Sequence, residues 1–175
     1  MYSDWQQDYD MTRERYSGID FENGWHDDIF NSLSLKQQNI LVLADQMGVA
    51  NSSTSVVHLF TKGSHHRNLT TVIYLVINVY NQRNSQRTIS LNSHYSVVFC
   101  NGQDASQFRT MAYKIYSSDG KWLVDSFTDA SFKPYGYLVL DHKPSTPEDQ
   151  TVVTNLLPGK RLTYYINTYA KVERH

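Results

Sequence analysis

Residues 39–47, Asn-Ile-Leu-Val-Leu-Ala-Asp-Gln-Met, bring an apolar, β-favouring run to a single carboxylate, Asp45, before the polar turn Gln46-Met47-Gly48. A buried strand that delivers an acidic side chain from its C-terminal end is what a Mg-nucleotide site requires. The residue just before that carboxylate is Ala44. Asp45 can equally cap the turn after a strand, and without a phosphate-binding loop that plainer reading is the stronger. Other polar clusters carry less. His65 and His66 are adjacent, share no face of a helix or strand, and lack a third ligand at a typical spacing, so interaction with a helix dipole suits them better than a metal. His26-Asp27-Asp28 is one isolated acidic pair, better read as a loop cap than as a metal nuclease site. Arg83 and Arg87 lie among Asn, Gln and Ser in the stretch Asn78–Asn92. Two arginines would supply about two phosphate contacts per copy, a weak and salt-sensitive hold on DNA that only a ring could multiply. A mobile polar loop is the favoured alternative there. Tyr135-Gly-Tyr137 and Tyr164-Tyr165 suit sheet and edge packing better than base stacking.

The chain that must position these residues has 175 of them, enough for one domain burying roughly two-thirds of its unfolded surface. Charge is balanced, 16 Lys and Arg against 17 Asp and Glu, so no global basic field announces a nucleic-acid partner. The lone Cys100 has no partner for an internal disulfide and sits in an apolar run, which fits a reducing, intracellular compartment. The N-terminus does not read as a signal peptide, and the longest apolar stretch, around Thr71–Ile77, is too short to cross a bilayer, so no membrane association is expected. The acceptor-like triplets at 51–53 and 68–70 are chance matches in that setting.

Charges and spaced aromatics over residues 4–16 predict a short helix stopped by Ser17-Gly18, followed by a short strand at Ile19–Phe21 and a loop over Gly24–Ser34. Ile40–Leu43 reads as a buried strand. Ser53–Thr61 reads as a helix capped by Ser52, Ser53 or Thr54 and stopped by Gly63. Leu69–Val76 and His94–Cys100 read as further buried strands, with Asn78–Asn92 a long loop between them. Helices are expected over Asp104–Tyr116 and Lys121–Ala130, a strand over Tyr137–Asp141, and turns over His142–Asp149. Short strands at Thr151–Asn155 and Leu162–Ile166 close the chain. Apolar strands alternating with helices predict an α/β domain with a mostly parallel sheet flanked by helices.

Several stretches, in order, resemble the C-terminal half of the packaging-type ATPases of Polinton/Maverick elements and adenovirus-like viruses, in the FtsK–HerA branch of the P-loop NTPases. They are Ile40-Leu-Val-Leu-Ala-Asp-Gln-Met47, Leu59-Phe-Thr-Lys-Gly-Ser-His-His-Arg-Asn68 and Val72-Ile-Tyr-Leu-Val-Ile-Asn78. Ile89-Ser-Leu-Asn-Ser-His-Tyr95 and Lys133-Pro-Tyr-Gly-Tyr-Leu-Val-Leu-Asp141 complete the set. The resemblance covers about Trp5 to Pro158, with an edge strand or tail over 159–175. It implies one truncated, ASCE-type domain from the Walker B strand onward, and a family that uses ATP and Mg. It places Arg67 where relatives carry a basic residue that reaches a neighbouring subunit's nucleotide; a solvated helix end is an equally good account of Arg67.

The departures weigh as much. No Gly-x-x-x-x-Gly-Lys-Ser/Thr occurs in the chain, so the phosphate cradle and its lysine are missing. The family's Walker B strand ends in two acids; here Ala44-Asp45 leaves one role vacant, and Asp45 matches the second. Where the family places a Gln at the tip of the next strand, this chain has Ile77 followed by Asn78. Losing the P-loop strand would leave Leu69–Val76 and Tyr95–Cys100 to pair directly, or an open slot in the sheet.

The resemblance therefore implies a virus- or transposon-derived remnant without catalysis or cofactor of its own, in the nucleus, cytoplasm, a virus factory or a virion. The alternatives are a pseudo-ATPase module that binds DNA, its own copies or full-length subunits, and a piece of a longer ATPase whose P-loop lies upstream.

Overall fold

The computed structural model describes residues 6–24, 39–43, 54–63, 69–74, 84–99 and 105–168. Helices and strands mix in the chain, in two compact units, Met1–Asn92 and Ser93–His175. Among the described residues no helix is long and apolar enough to cross a membrane.

The first unit opens with α1 (Gln7–Arg15), which buries none of its residues. Its order comes from local terms: Asp8 and Asp10 in the first turn and Arg13 and Arg15 in the last oppose the helix dipole, and the Thr12 hydroxyl donates to the Asp8 carbonyl at 2.8 Å. Residues 19–21 form no strand; Phe21 instead packs its ring 5.8 Å from that of Tyr9.

Strand β1 (Asn39–Leu43) alternates: Leu41 and Leu43 are buried, while Ile40 and Val42 face outward. The expected fully buried strand is thus buried on one face only, with its apolar run covering both. It pairs in parallel with β2 (Leu69–Tyr74), and the register levels their C-terminal ends, Leu43 opposite Tyr74. A parallel pair needs a crossover. Helix α2 (Thr54–His58), which runs on as a π-helical turn at Leu59–Gly63, lies in that connection. Val56 and Leu59, three residues apart, are its fully buried anchors, and the Thr61 hydroxyl closes the end on the carbonyls of Val57 (3.2 Å) and His58 (3.1 Å).

Against this turn packs α3 (Asn84–Leu91), in a stretch where a polar loop is expected. Among its described side chains Ile89 is buried whereas Leu91 is exposed. Asn92 ends the helix, its side-chain amide donating to the Thr88 carbonyl at 2.8 Å. Arg87 accordingly belongs to a helix, not to a loop.

The second unit is a helical hairpin on a sheet. Strand β3 (Tyr95–Phe99) leads to α4 (Ala105–Ile115), α5 (Gly120–Ser131) and β4 (Tyr137–Asp141), followed by a 3-10 turn at Glu148–Gln150, β5 (Val152–Thr154) and β6 (Thr163–Tyr164). The sheet order is β3-β4-β5-β6 and every pairing is antiparallel, which overturns the mostly parallel sheet. The reason is parity. One helix between two strands returns the chain to its starting end, whereas two successive helices bring it back from the far end, so β4 runs against β3. Strand β3, for which direct pairing with Leu69–Val76 or an open slot in the sheet is expected, finds its partner in β4.

One face of this sheet holds the core. Phe108 and Ala112 of α4, Leu123, Phe127 and Ala130 of α5, and Leu138, Leu140 and Val152 of the sheet form one buried cluster. The rings of Phe108 and Phe127 stack with centroids 4.0 Å apart and an interplanar angle of 17°. The helices approach closely at Gly120, where a Cβ would lie 2.8 Å from Tyr113 Cα. The C-terminal segment is tied down by the Tyr165 N–H on the Val152 carbonyl (2.9 Å), the Tyr165 hydroxyl on Asp129 (2.6 Å) and the Asn167 amide on Asp119 (3.0 Å).

Candidate functional site

The residues with nucleotide chemistry in the sequence fall at the ends of β1 and β2. Asp45 follows Leu43 by two residues, and Asn78 follows Tyr74 by four. Because the pair is parallel and its ends are level, both chains leave the sheet on the same side, where α/β sheets bind ligands. Ala44, Asp45, Arg67, Ile77, Asn78 and Arg83 themselves lie outside the described residues, as do His26, Asp27, Asp28, His65 and His66. The side chain of Arg87 is outside them too, although its backbone is in α3.

Within the described residues the best-formed polar cluster is elsewhere, at the end of β4, in Asp141-His-Lys-Pro-Ser-Thr146. The Asp141 carboxylate accepts from the Lys143 backbone N–H at 2.9 Å, closing an Asx turn, and from the Thr146 hydroxyl at 2.9 Å. The Lys143 ammonium stands 3.7 Å from the same carboxylate and 4.7 Å from the centre of the Tyr95 ring on β3. His142 donates its backbone N–H to the His94 carbonyl (2.8 Å), and its Nε2 lies 2.9 Å from Ser96 Oγ. Asp141, Lys143, Thr146 and Tyr95 rim a cleft of about 690 Å³ over the sheet's outer face, floored by Val97, Val139 and Val153 and flanked by Leu156, Leu162 and Tyr164.

The electrostatics are those of a closed turn. Burial pushes the Asp141 carboxyl up, but the Lys143 N–H, the Thr146 hydroxyl and the Lys143 charge together hold it below the ordinary 3.8. Burial lowers His142 below its ordinary 6.5, against a smaller opposite pull from Asp141. The Tyr95 side chain foremost, and Asp141 after it, raise Lys143, with a smaller opposing effect of burial. The Asp141 and Lys143 charges are partnered within the turn, so these two groups anchor the β4–β5 connection. Among the described residues no three His, Cys, Asp or Glu side chains converge as a metal site.

A pH dependence follows. His142 and Asp141 both titrate lower when folded than when unfolded, so each contributes stability above its unfolded value and loses it as pH falls through its folded value. The urea midpoint should decline first below about pH 6.5, through His142, and again below about pH 3.8, through Asp141. His142→Gln should flatten the upper step alone. An NMR titration placing the His142 pKa above 6.5 would contradict the assignment.

The aromatic pairs divide. Tyr137 accepts a hydrogen bond from the Leu157 N–H (3.2 Å) and packs 6.0 Å from Phe99, and Tyr165 is bonded to Asp129, as sheet packing requires. Tyr135 is 93% exposed, so packing does not account for it. The Asp141 cluster was not singled out from sequence. Its one local signal was an Asp two residues before a free N–H and five before a Thr, while Tyr95 and Ser96 reach it from a strand more than forty residues away.

No protein-family model matches the chain, and neither a curated protein nor a solved structure does.

Proposed function

We propose that this chain is a P-loop NTPase-like remnant, corresponding to the part of a viral or transposon DNA-packaging ATPase from the Walker B strand onward, and that alone it does not hydrolyse ATP. The observation that carries the reading is the level, parallel β1–β2 pair. A Walker B strand and the strand after it would stand in this relation, each sending its polar residue, Asp45 or Asn78, from the same sheet end. The support is confined to the Met1–Asn92 unit, since the second unit's sheet runs antiparallel.

The chemistry that would fail is specific. With ATP and Mg bound, a complete site cradles the phosphates on a glycine-rich loop and uses two carboxylates for the cation and the attacking water. This sequence offers Asp45 alone, after Ala44, and no cradle. Phosphate release by the purified chain should stay at the buffer rate with Mg-ATP, and Ala44→Asp should not raise it. Mg-dependent turnover by residues 1–175 would overturn the inactive reading. DNA contact through Arg83 and Arg87 predicts a gel shift at low salt that Arg83→Ala/Arg87→Ala abolishes; no shift at low salt would remove DNA from the proposal.

A further inference from the structure

The outer side of β3 is an open strand edge. Among the described residues β3 pairs only with β4, and no strand lies beyond it. The pattern of the ladder says which groups face the opening. His142 donates to His94 and Asp141 donates to Thr151, so in the β3–β4 pair residues 94, 96 and 98 are the hydrogen-bonded positions. The N–H and C=O groups of Tyr95, Val97 and Phe99 therefore point away from β4. Their side chains share the sheet's outer face, and all three are more than half exposed.

Edge strands are ordinarily guarded by Lys, Pro, a bulge or an inward-pointing charge. Tyr-Ser-Val-Val-Phe has none of these, and its pairing with β4 is regular over all five residues.

We propose that β3 pairs through this edge with β3 of a second copy, antiparallel about a two-fold axis at Val97, joining two four-stranded sheets into one of eight. The strand is self-complementary in that register. Val97 falls opposite Val97 of the second copy, and Tyr95 falls opposite Phe99 twice, giving two aromatic cross-strand pairs. The three outward residues of each copy are the ones this register uses as hydrogen-bonded pairs, so all their N–H and C=O groups find partners. No charge on the strand meets a like charge. Pairing in the plane of the sheet covers the strand edge and leaves much of the outer face of Tyr95, Val97 and Phe99 exposed, so the pair buries less than about 800 Å² in total, at the weak and reversible end of association. A second copy suits this edge because the two-fold register pairs every outward N–H and C=O of Tyr95, Val97 and Phe99 on both strands and sets apolar residues opposite one another throughout.

Sedimentation velocity of the full chain, run up to about 1 mM, should show reversible dimerisation. Val97→Lys and Val97→Glu each place like charges opposite one another and should weaken it at least about tenfold. Mixing the two variants should restore it as a heterodimer, which also shows that both fold. Val97→Pro removes an N–H that β4 does not use and should abolish association with an unchanged circular dichroism spectrum. Tyr164→Lys, on the same face but three strands away, should change nothing. A monomer at every concentration, a Lys/Glu mixture that stays monomeric, association that survives Val97→Pro, or loss of association in Tyr164→Lys (face-to-face packing) would each overturn the proposal.

Discussion

Replacing Phe108 by alanine lowers the stability of the Ser93–His175 unit by about 3–5 kcal/mol, the cost of truncating a buried aromatic. Phe108 is 1% exposed, and its ring lies flat on Phe127, so the vacancy opens in the middle of the contact between α4 and α5. Collapse to fill it is obstructed. Ala112 and Ala130 are already small, and Gly120 has brought the helices to their closest approach, so backbone movement is the only relaxation left. Phe108→Leu keeps most of the buried volume and should fall well short of the alanine cost, although it too loses the ring stacking, worth about 0.5–1.5 kcal/mol beyond area. Against a typical total of about 5–15 kcal/mol, the alanine variant should unfold at much lower urea and lose amide protection across α4, α5 and β4 together. Retained protection in those elements, with a midpoint near that of the parent, would show that Phe108 is not central to the core.

A substitution that adds a single methyl group should cost nearly as much. Gly136→Ala is expected to destabilise by about 2–3 kcal/mol, at the upper end for overpacking. The new Cβ would run into the carbonyl oxygen of Ala130 and come within 3.0 Å of that of Lys133. Both obstacles are backbone atoms, and the second already accepts the Gly136 N–H at 2.9 Å. No rotamer change removes either. The neighbouring Tyr135 supplies a control of opposite sign: it holds φ at 59° with an exposed side chain, so Tyr135→Gly relieves a left-handed conformation and should be neutral or stabilising by up to about 1 kcal/mol. Equal denaturation midpoints for Gly136→Ala and the parent would mean that the turn is looser than described.

Sequence reasoning reached the elements with dense apolar patterning and failed where contact or topology decides. Ile40–Leu43 and Tyr137–Asp141 carry apolar runs that only a strand could bury, and α4 and α5 repeat their apolar residues at helical spacing. Tyr95–Phe99 is a strand as its pattern predicts, but an edge strand with Tyr95, Val97 and Phe99 more than half exposed, not the buried strand expected over His94–Cys100. Helix α3 has only Ile89 and Leu91 as large apolar residues among Asn, Gln, Arg and Ser, too little to register as a period, yet it packs against α2 with Ile89 buried. The expectation of a parallel sheet rests on apolar strands alternating with helices. The pair α4–α5 reverses that outcome although each helix was placed correctly. Of the candidate site, Asp45 and Asn78 are legible as residue types after apolar runs; both lie outside the described residues, and the structure adds only that β1 and β2, which precede them, are parallel with level ends. The Asp141 cluster stayed hidden because Tyr95 and Ser96 reach it through strand pairing.

The ties on the C-terminal segment have a mechanical consequence. Among the described residues, tension applied from that end would load the Asn167–Asp119 and Tyr165–Asp129 bonds and the two-residue β6 first. Behind them stands β5, whose three residues are all buried and whose Thr154 hydroxyl is bonded to the Tyr137 carbonyl at 2.6 Å. The tail would peel from α5 and β5 one contact at a time, and the pull would then meet a strand that yields only with the core.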